Sequence, residues 1–204
     1  MCRKGADVLK KLTNDHRTRI TKMLIRKALT DLMAYKPVTD ISVKELCEKA
    51  GINRGTFYSH YTDIYNLLEK IEEEMVGELI NALKPLVEGG NAAITPFMIS
   101  PDVFRVIKEF SDITSAILGP CGDKTFPEKL INIGHDICIE AYIKHFSGAT
   151  RKQIEFYYAF VSAGVISILQ GWMKSGWRES PEEIAGAVNG IMANGIGYLG
   201  KPSE

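Results

Sequence analysis

Apolar residues recur at helical spacing along most of this chain. Ile20, Leu24, Ala28 and Leu32 stand four apart and predict an amphipathic helix over about 17–34, with Pro37 marking its end. Ser42-Val-Lys-Glu45 has the spacing of a capping box and opens a short helix to Ala50, after which Gly51 supplies a turn. Asn53 then caps a second short helix to about His60. A long helix follows over about 63–84, with Ile64, Leu67, Leu68, Ile71, Met75, Leu79 and Leu83 on one side and Pro85 as its stop. The stretch 88–101 contains Gly89, Gly90, Pro96 and Pro101 and reads as a joint. Four more helices are predicted beyond it. The first starts at Ser100-Pro101-Asp102 and ends near Gly119; the second starts at Pro127-Glu128 and runs to about Phe146. Capping boxes at Thr150–Gln153 and Ser180–Glu183 open the last two, which run to about Ser175 and about Leu199. No stretch alternates with period two and no internal repeat is evident, so the fold class is all-α.

Hydrophobic residues make up 45% and charged residues 25%, values that exclude wholesale disorder. The net charge is zero, but it is unevenly spread. Residues 1–60 hold 13 Lys/Arg against 6 Asp/Glu, or +7; residues 61–204 hold the other 12 against 19, or −7. The basic third calls for an anionic partner, and the acidic remainder must do something else. Cys2, Cys47, Cys121 and Cys138 form no CxxC pair, which argues against a zinc ribbon or dithiol motif and suits free thiols in a reducing cytoplasm. The longest mainly apolar run, Val161 to Leu169, is short for a membrane span, and no signal segment opens the chain, so a soluble, cytoplasmic protein is expected.

Residues 42–61 place two short helices about a Gly turn inside the basic third, the arithmetic of a helix-turn-helix. Val43, Leu46 and Ala50 form the inner face of its first helix, and Ile52, Phe57 and Tyr61 plug the inside of the second. The outward set is then Asn53, Arg54, Gly55, Thr56, Tyr58, Ser59 and His60. Hydrogen-bonding groups on the first turn of such a helix suit base edges in a major groove. Free N–H groups at the starts of both short helices, at Ser42 and Asn53, suit phosphates, and Arg17, Arg19 and Lys44 are phosphate partners alongside Tyr58 and His60.

Gly55-Thr56-Phe57-Tyr58-Ser59-His60-Tyr61, followed by Leu67-Leu68, resembles the DNA-binding head of TetR/AcrR-family transcriptional regulators; Leu24, Ala28 and Leu32 fit that family's first-helix core. The likeness covers about 17–70. Two residues depart from it: Ile64 stands where the family often has a phosphate-contacting Lys, and Cys47 where a small Ala is usual. The resemblance implies a head of three helices over 1–62 with an N-terminal arm, and a regulatory and dimerisation domain over 63–204. It also implies a homodimer, a double-stranded operator with two half-sites, and a small-molecule effector or partner that changes affinity, with repression favoured over activation. Weaker similarity around Tyr157-Tyr158 to Trp172 and at Ser180–Ile184 looks like a subgroup that includes activators of dihydroxyacetone metabolism.

The helix over about 151–175 is apolar almost all round, so more than one side needs covering. On the last helix Gly186, Gly190, Ala193 and Gly197 form a stripe of small residues, whose helix-destabilising glycines imply close helix–helix contact. Tyr158, Val161, Val165, Leu169 and Trp172 together with that stripe are read as a dimer interface. Phe104, Ile107, Phe110, Ile137, Tyr142, Phe146 and Tyr157 are candidate ligand-pocket residues. Gly195 to Gly200 matches GxGxxG but no strand precedes it, so a dinucleotide site is set aside. His135 and Cys138 share a helix face without a clear third ligand, so no metal site is assigned. No catalytic motif and no cofactor is implied. The rival reading is an all-α interaction or carrier protein whose basic head meets an acidic partner; a membrane partner would want a Lys-rich patch with exposed apolar residues instead.

Overall fold

The computed structural model describes the backbone of residues 2–88, 98–122 and 125–194 and the side chains of 16–85, 98–122 and 125–194. The described residues form nine α-helices, one short 3-10 turn and no strand. In order these are α1 (Cys2–Met33), α2 (Val43–Ala50), α3 (Arg54–Tyr58), α4 (Ile64–Glu88), α5 (Pro101–Glu109), α6 (Ser111–Leu118), α7 (Thr125–His145), α8 (Arg151–Lys174) and α9 (Pro181–Asn194).

Several boundaries differ from those the sequence predicts. The first helix begins at Cys2 rather than near 17. Its buried stripe is Ile25, Ala28, Leu29, Leu32 and Met33, while Ile20 and Leu24 are each 39% exposed. The four-residue spacing drifts around the cylinder, so its early members leave the core face. Pro85 lies inside α4 rather than ending it. A proline in the last turn removes one backbone donor, yet its fixed φ is already helical. The single helix expected over 101–119 is broken at Phe110, where the backbone leaves helical geometry at φ −96° and ψ 25°. The Phe110 ring is buried, and the Thr114 hydroxyl reaches toward the Ile107 carbonyl at 3.5 Å. α3 ends at Tyr58, two residues before the expected end near His60. The end expected for the last helix, near Leu199, and the GxGxxG match lie outside the described residues.

The chain divides into two units, one of residues 1–71 and 115–123 and the other of 72–114 and 124–204. In the first, α1 packs on α2 and α2 on α3. Ile25, Leu29, Leu32, Leu46, Phe57 and Leu67 are essentially fully buried there. In the second, α5 packs on α9 and α7 on α8. Ile139, Tyr142, Ile154 and Tyr158 cluster between α7 and α8. Phe104 of α5 meets the Trp172 ring edge-on at 6.4 Å. Arg105 bridges Asp102 and Glu182, the latter at 2.6 Å, and ties α5 to the start of α9. Asn189 fixes Ile99, two residues before α5: its amide oxygen accepts from the Ile99 N–H at 2.8 Å and its amide nitrogen donates to the Ile99 carbonyl at 3.0 Å.

By length and composition α8 could cross a membrane, with a mean hydropathy of 1.3 over its most apolar window. The apolar run Val161 to Leu169 is thus the middle of a longer helix, Arg151–Lys174. Its apolar character has a second source, since part of its surface lines a half-open apolar cavity.

Candidate nucleic-acid interface and ligand cavity

The helix-turn-helix is assembled by local backbone chemistry. Ser42 caps α2, its hydroxyl accepting the Glu45 N–H at 3.2 Å. The reciprocal half of the expected capping box is missing, because the Glu45 carboxylate pairs with Lys36 instead. At the other end Gly51 adopts φ +66°, a left-handed conformation that favours glycine. The Ile52 N–H then reaches the Cys47 carbonyl at 3.0 Å and the Gly51 N–H the Glu48 carbonyl at 3.3 Å, a Schellman ending that turns the chain into α3. Asn53 caps α3 by accepting the Thr56 N–H at 2.7 Å. Gly55 serves that cap as well, since a Cβ there would lie 3.2 Å from the Asn53 amide oxygen.

Phe57 is 0% exposed and anchors α3 from inside, with the rings of Tyr58 and Tyr61 against it at 5.5 and 5.7 Å. The residues around it face outward. Asn53, Arg54, Gly55, Tyr58 and Ser59 are exposed, and Thr56 and His60 half-buried. Arg17, Arg19, Ser42 and Lys44 are exposed too, the Lys44 amine 3.9 Å from the Glu48 carboxylate. Asn53 spends its carbonyl oxygen on the cap that its place predicts. One feature of this surface was not read from the sequence. Lys70, reaching back from α4, donates to the His60 carbonyl at 3.1 Å and lies over the Tyr61 ring at 5.3 Å. Cys47 is buried, and desolvation raises its thiol pKa. That placement is one of packing.

The second unit holds a half-open cavity of about 170 Å³ between α4, α5, α7 and α8. Of the pocket candidates, Ile107 and Tyr142 line it. Tyr142, Phe146 and Tyr157 border a second hollow of about 530 Å³ between α7, α8 and α9. Phe104, Phe110 and Ile137 line neither. Phe104 is consumed by the core against Trp172 and Phe110 by the break before α6.

Four residues read as dimer contacts, Tyr158, Val161, Val165 and Leu169, also stand on the wall of the first cavity. Trp172 is 2% exposed, with its indole N–H donated to the Glu179 carbonyl at 3.1 Å. It is covered within its own chain. The outward face of α8 is a different set: Phe156 at 66% exposed, Phe160 at 76%, and the exposed small residues Ala159, Ala163, Gly164 and Gly171. On α9, Gly186 and Ala193 are exposed and Gly190 is half-buried; Gly197 lies outside the described residues. Small residues also gather on α8, at 159, 163, 164 and 171, a signal that could have found this face.

Cys138 lines the cavity, and burial pushes its thiol up to about 11. His135 turns to Asp136 at 3.2 Å and to the Tyr158 ring. Among the described residues no group of three metal-ligating side chains converges.

A sequence-family profile described as the TetR-type "Transcriptional regulator C-terminal region" matches residues 95–194. YxbF of Bacillus subtilis, described as an uncharacterized HTH-type transcriptional regulator, is 24% identical over 180 residues, which is 84% of this chain and 44% of that protein. DhaS of Lactococcus lactis, described as an HTH-type activator of the dhaKLM operon, is 40% identical over 62 residues, or 30% of this chain and 33% of DhaS. Both alignments span less than half of those relatives' own lengths. Among solved structures, the fatty acid degradation regulator FadR from Bacillus halodurans aligns with a TM-score of 0.60 at 11% identity. That alignment covers 86% of this chain and 96% of FadR, a likeness of fold alone.

Proposed function

We infer the action of this chain from its membership of the TetR family of helix-turn-helix transcriptional regulators. It binds a double-stranded operator as a homodimer in the cytoplasm, and a small molecule held in the second unit changes that affinity. The observation that carries the reading is the surface of α3. A buried Phe57 and an Asn53 cap hold Arg54, Gly55 and Thr56 outward at a helix start, inside the basic third of the chain. Such a start meets base edges when inserted in a major groove. Tyr58 and His60, farther along, and Arg17, Arg19, Ser42 and Lys44 meet backbone phosphates, which position the head without reading sequence. Residues 63–204 carry regulation and dimerisation. Repression follows most simply from an occupied operator; DhaS is named an activator, and a reporter fused to the bound promoter decides the sign.

The outward faces of α8 and α9 support the dimer. Two exposed phenylalanines flanked by alanines and glycines would leave apolar surface in water unless a second copy covers it. Phe160→Glu is expected to shift sedimentation from dimer to monomer, and a variant that stays dimeric removes this face from the reading.

Electrophoretic shift on duplexes selected by the protein from a random pool tests the DNA interface. Arg54→Ala and Thr56→Ala should cost the selected duplex about 1–3 kcal/mol more than random DNA. Tyr58→Phe should weaken both alike. Affinity should fall steeply with salt, each neutralised phosphate adding about 0.9 to the log–log slope. A flat salt dependence would instead favour an acidic protein partner for the head.

A further inference from the structure

The half-open cavity of about 170 Å³ in the second unit is close in size to an engineered apolar cavity of about 150 Å³ that takes up benzene. It therefore suits a molecule of about seven to ten heavy atoms. Among the described residues that border it there is no Asp, Glu, Lys, Arg or His. An ion entering would shed part of its hydration with no charged side chain to replace it.

Four polar side chains stand on the wall, Cys138, Tyr142, Tyr158 and Ser162. Two are already engaged. The Tyr158 hydroxyl donates to the Ile131 carbonyl at 2.6 Å, and the Ser162 hydroxyl to the Ala159 carbonyl at 3.2 Å. Cys138 is a protonated thiol and a weak donor. Tyr142 differs from these. It is 4% exposed, its ring is wedged between the edges of Phe146 and Tyr157 at 6.4 and 5.7 Å, and its hydroxyl has no hydrogen-bond partner among the described residues. Buried hydroxyls ordinarily find partners, so one left open at a cavity wall marks a place for an incoming polar atom.

We propose that this cavity takes a small, uncharged, largely hydrocarbon ligand bearing one hydrogen-bonding oxygen, which the Tyr142 hydroxyl engages. The proposal rests on the reading of the second unit as the effector-sensing part of a regulator, and it adds the chemical class.

Calorimetric titration of the full chain with p-cresol, toluene and benzoate tests it, the three probes sharing one ring. p-Cresol is expected to bind about five- to tenfold tighter than toluene, the worth of one hydrogen bond, and benzoate more weakly than either. Tyr142→Phe should bring p-cresol down to the affinity of toluene and leave toluene unchanged. Val165→Phe, which fills the space, should abolish both; Val161→Phe takes its place if circular dichroism shows that the first variant is unfolded. Benzoate binding as tightly as p-cresol overturns the class. So does an undiminished p-cresol advantage in Tyr142→Phe, binding that survives the filled cavity, or failure of both neutral probes to bind. DNA affinity is read separately on selected duplexes. p-Cresol that binds as expected without changing DNA affinity upholds the ligand class and removes the effector reading. Benzoate that binds and changes DNA affinity where p-cresol does neither overturns the class and keeps the effector reading.

Discussion

Replacing Phe57 by alanine puts the head under the most direct strain. The ring is 0% exposed, belongs to a helix of five residues, and touches the rings of Tyr58 and Tyr61. A helix that short has no stability of its own and is held by what it buries. Deleting a fully buried phenylalanine side chain costs about 3–5 kcal/mol. The unit that contains it comprises residues 1–71 and 115–123. At about 0.05–0.15 kcal/mol per residue, a body of that size is stable by about 4–12 kcal/mol. The loss is a large share of the whole. With a urea slope of about 1–1.5 kcal/mol per molar for so small a body, the midpoint should fall by about 2–5 M. The chain also offers a built-in control. Its two tryptophans, Trp172 and Trp177, both lie in the second unit. Tryptophan fluorescence therefore follows that unit, while far-UV circular dichroism follows both. Helical signal should be lost at low urea while the fluorescence midpoint holds. Phe57→Leu, nearer in volume, should lose less than about 1.5 kcal/mol. A loss below about 1 kcal/mol for the alanine variant would refute the claim that this ring carries α3, since it falls far short of the value for a buried ring.

Other expectations follow from single contacts. Asn53→Ala should cost the head about 1 kcal/mol by removing the cap on Thr56, whereas Asn53→Asp keeps the acceptor and should weaken DNA binding with the fold intact, read by melting and by mobility shift. Thr150→Ala removes a capping box in which both reciprocal bonds are formed at α8 and should lower stability by about 0.5–2 kcal/mol in chemical denaturation. The Glu183 carboxyl is held below the usual glutamate range chiefly by the Ser180 N–H it accepts at 2.7 Å. Its contribution is therefore complete above the ordinary glutamate pKa of about 4.3 and is lost as pH falls through the lowered value. Glu183→Gln should flatten the acid limb of a melting-temperature profile, and an unchanged limb would show that this carboxylate adds nothing. Gly134→Ala would set a Cβ 2.8 Å from the Tyr158 hydroxyl, so that hydroxyl must give up its bond to the Ile131 carbonyl, visible as a lowered melting temperature.

How much the sequence disclosed depends on the range of the interaction involved. Caps and turns are written locally, so Ser42, Gly51, Asn53, Thr150 and Ser180 each do at their predicted places what their chemistry requires. The outward residues of α3 were legible for the same reason, because Phe57 and Tyr61 fix which side is in. Long-range competition was not legible. Glu45 had two partners within reach, and Lys36, nine residues away, took its carboxylate from the cap. The break at Phe110 obeys no local breaker residue; it accompanies a ring buried in the core. α8 is apolar almost all round, so periodicity alone could not tell cavity wall from outer face. Tyr158, Val161, Val165 and Leu169 turned inward to the cavity, and Phe156 and Phe160 turned out.

The paired bonds between Asn189 and Ile99 narrow the amino-acid alphabet at one position of α9. The backbone of Ile99 offers one donor and one acceptor side by side, and only a short planar group with both functions can answer them at 2.8 and 3.0 Å. Aspartate would satisfy the N–H and turn a second negative oxygen on the carbonyl. Leucine, nearly the same size, would strand both groups, and glutamine would carry its amide one methylene too far. Position 189 thus tolerates fewer replacements than its half-buried, partly polar surroundings suggest. A saturation library scored for folded protein should show it as nearly invariant while Gly186, where an added Cβ would meet nothing within 4 Å, varies.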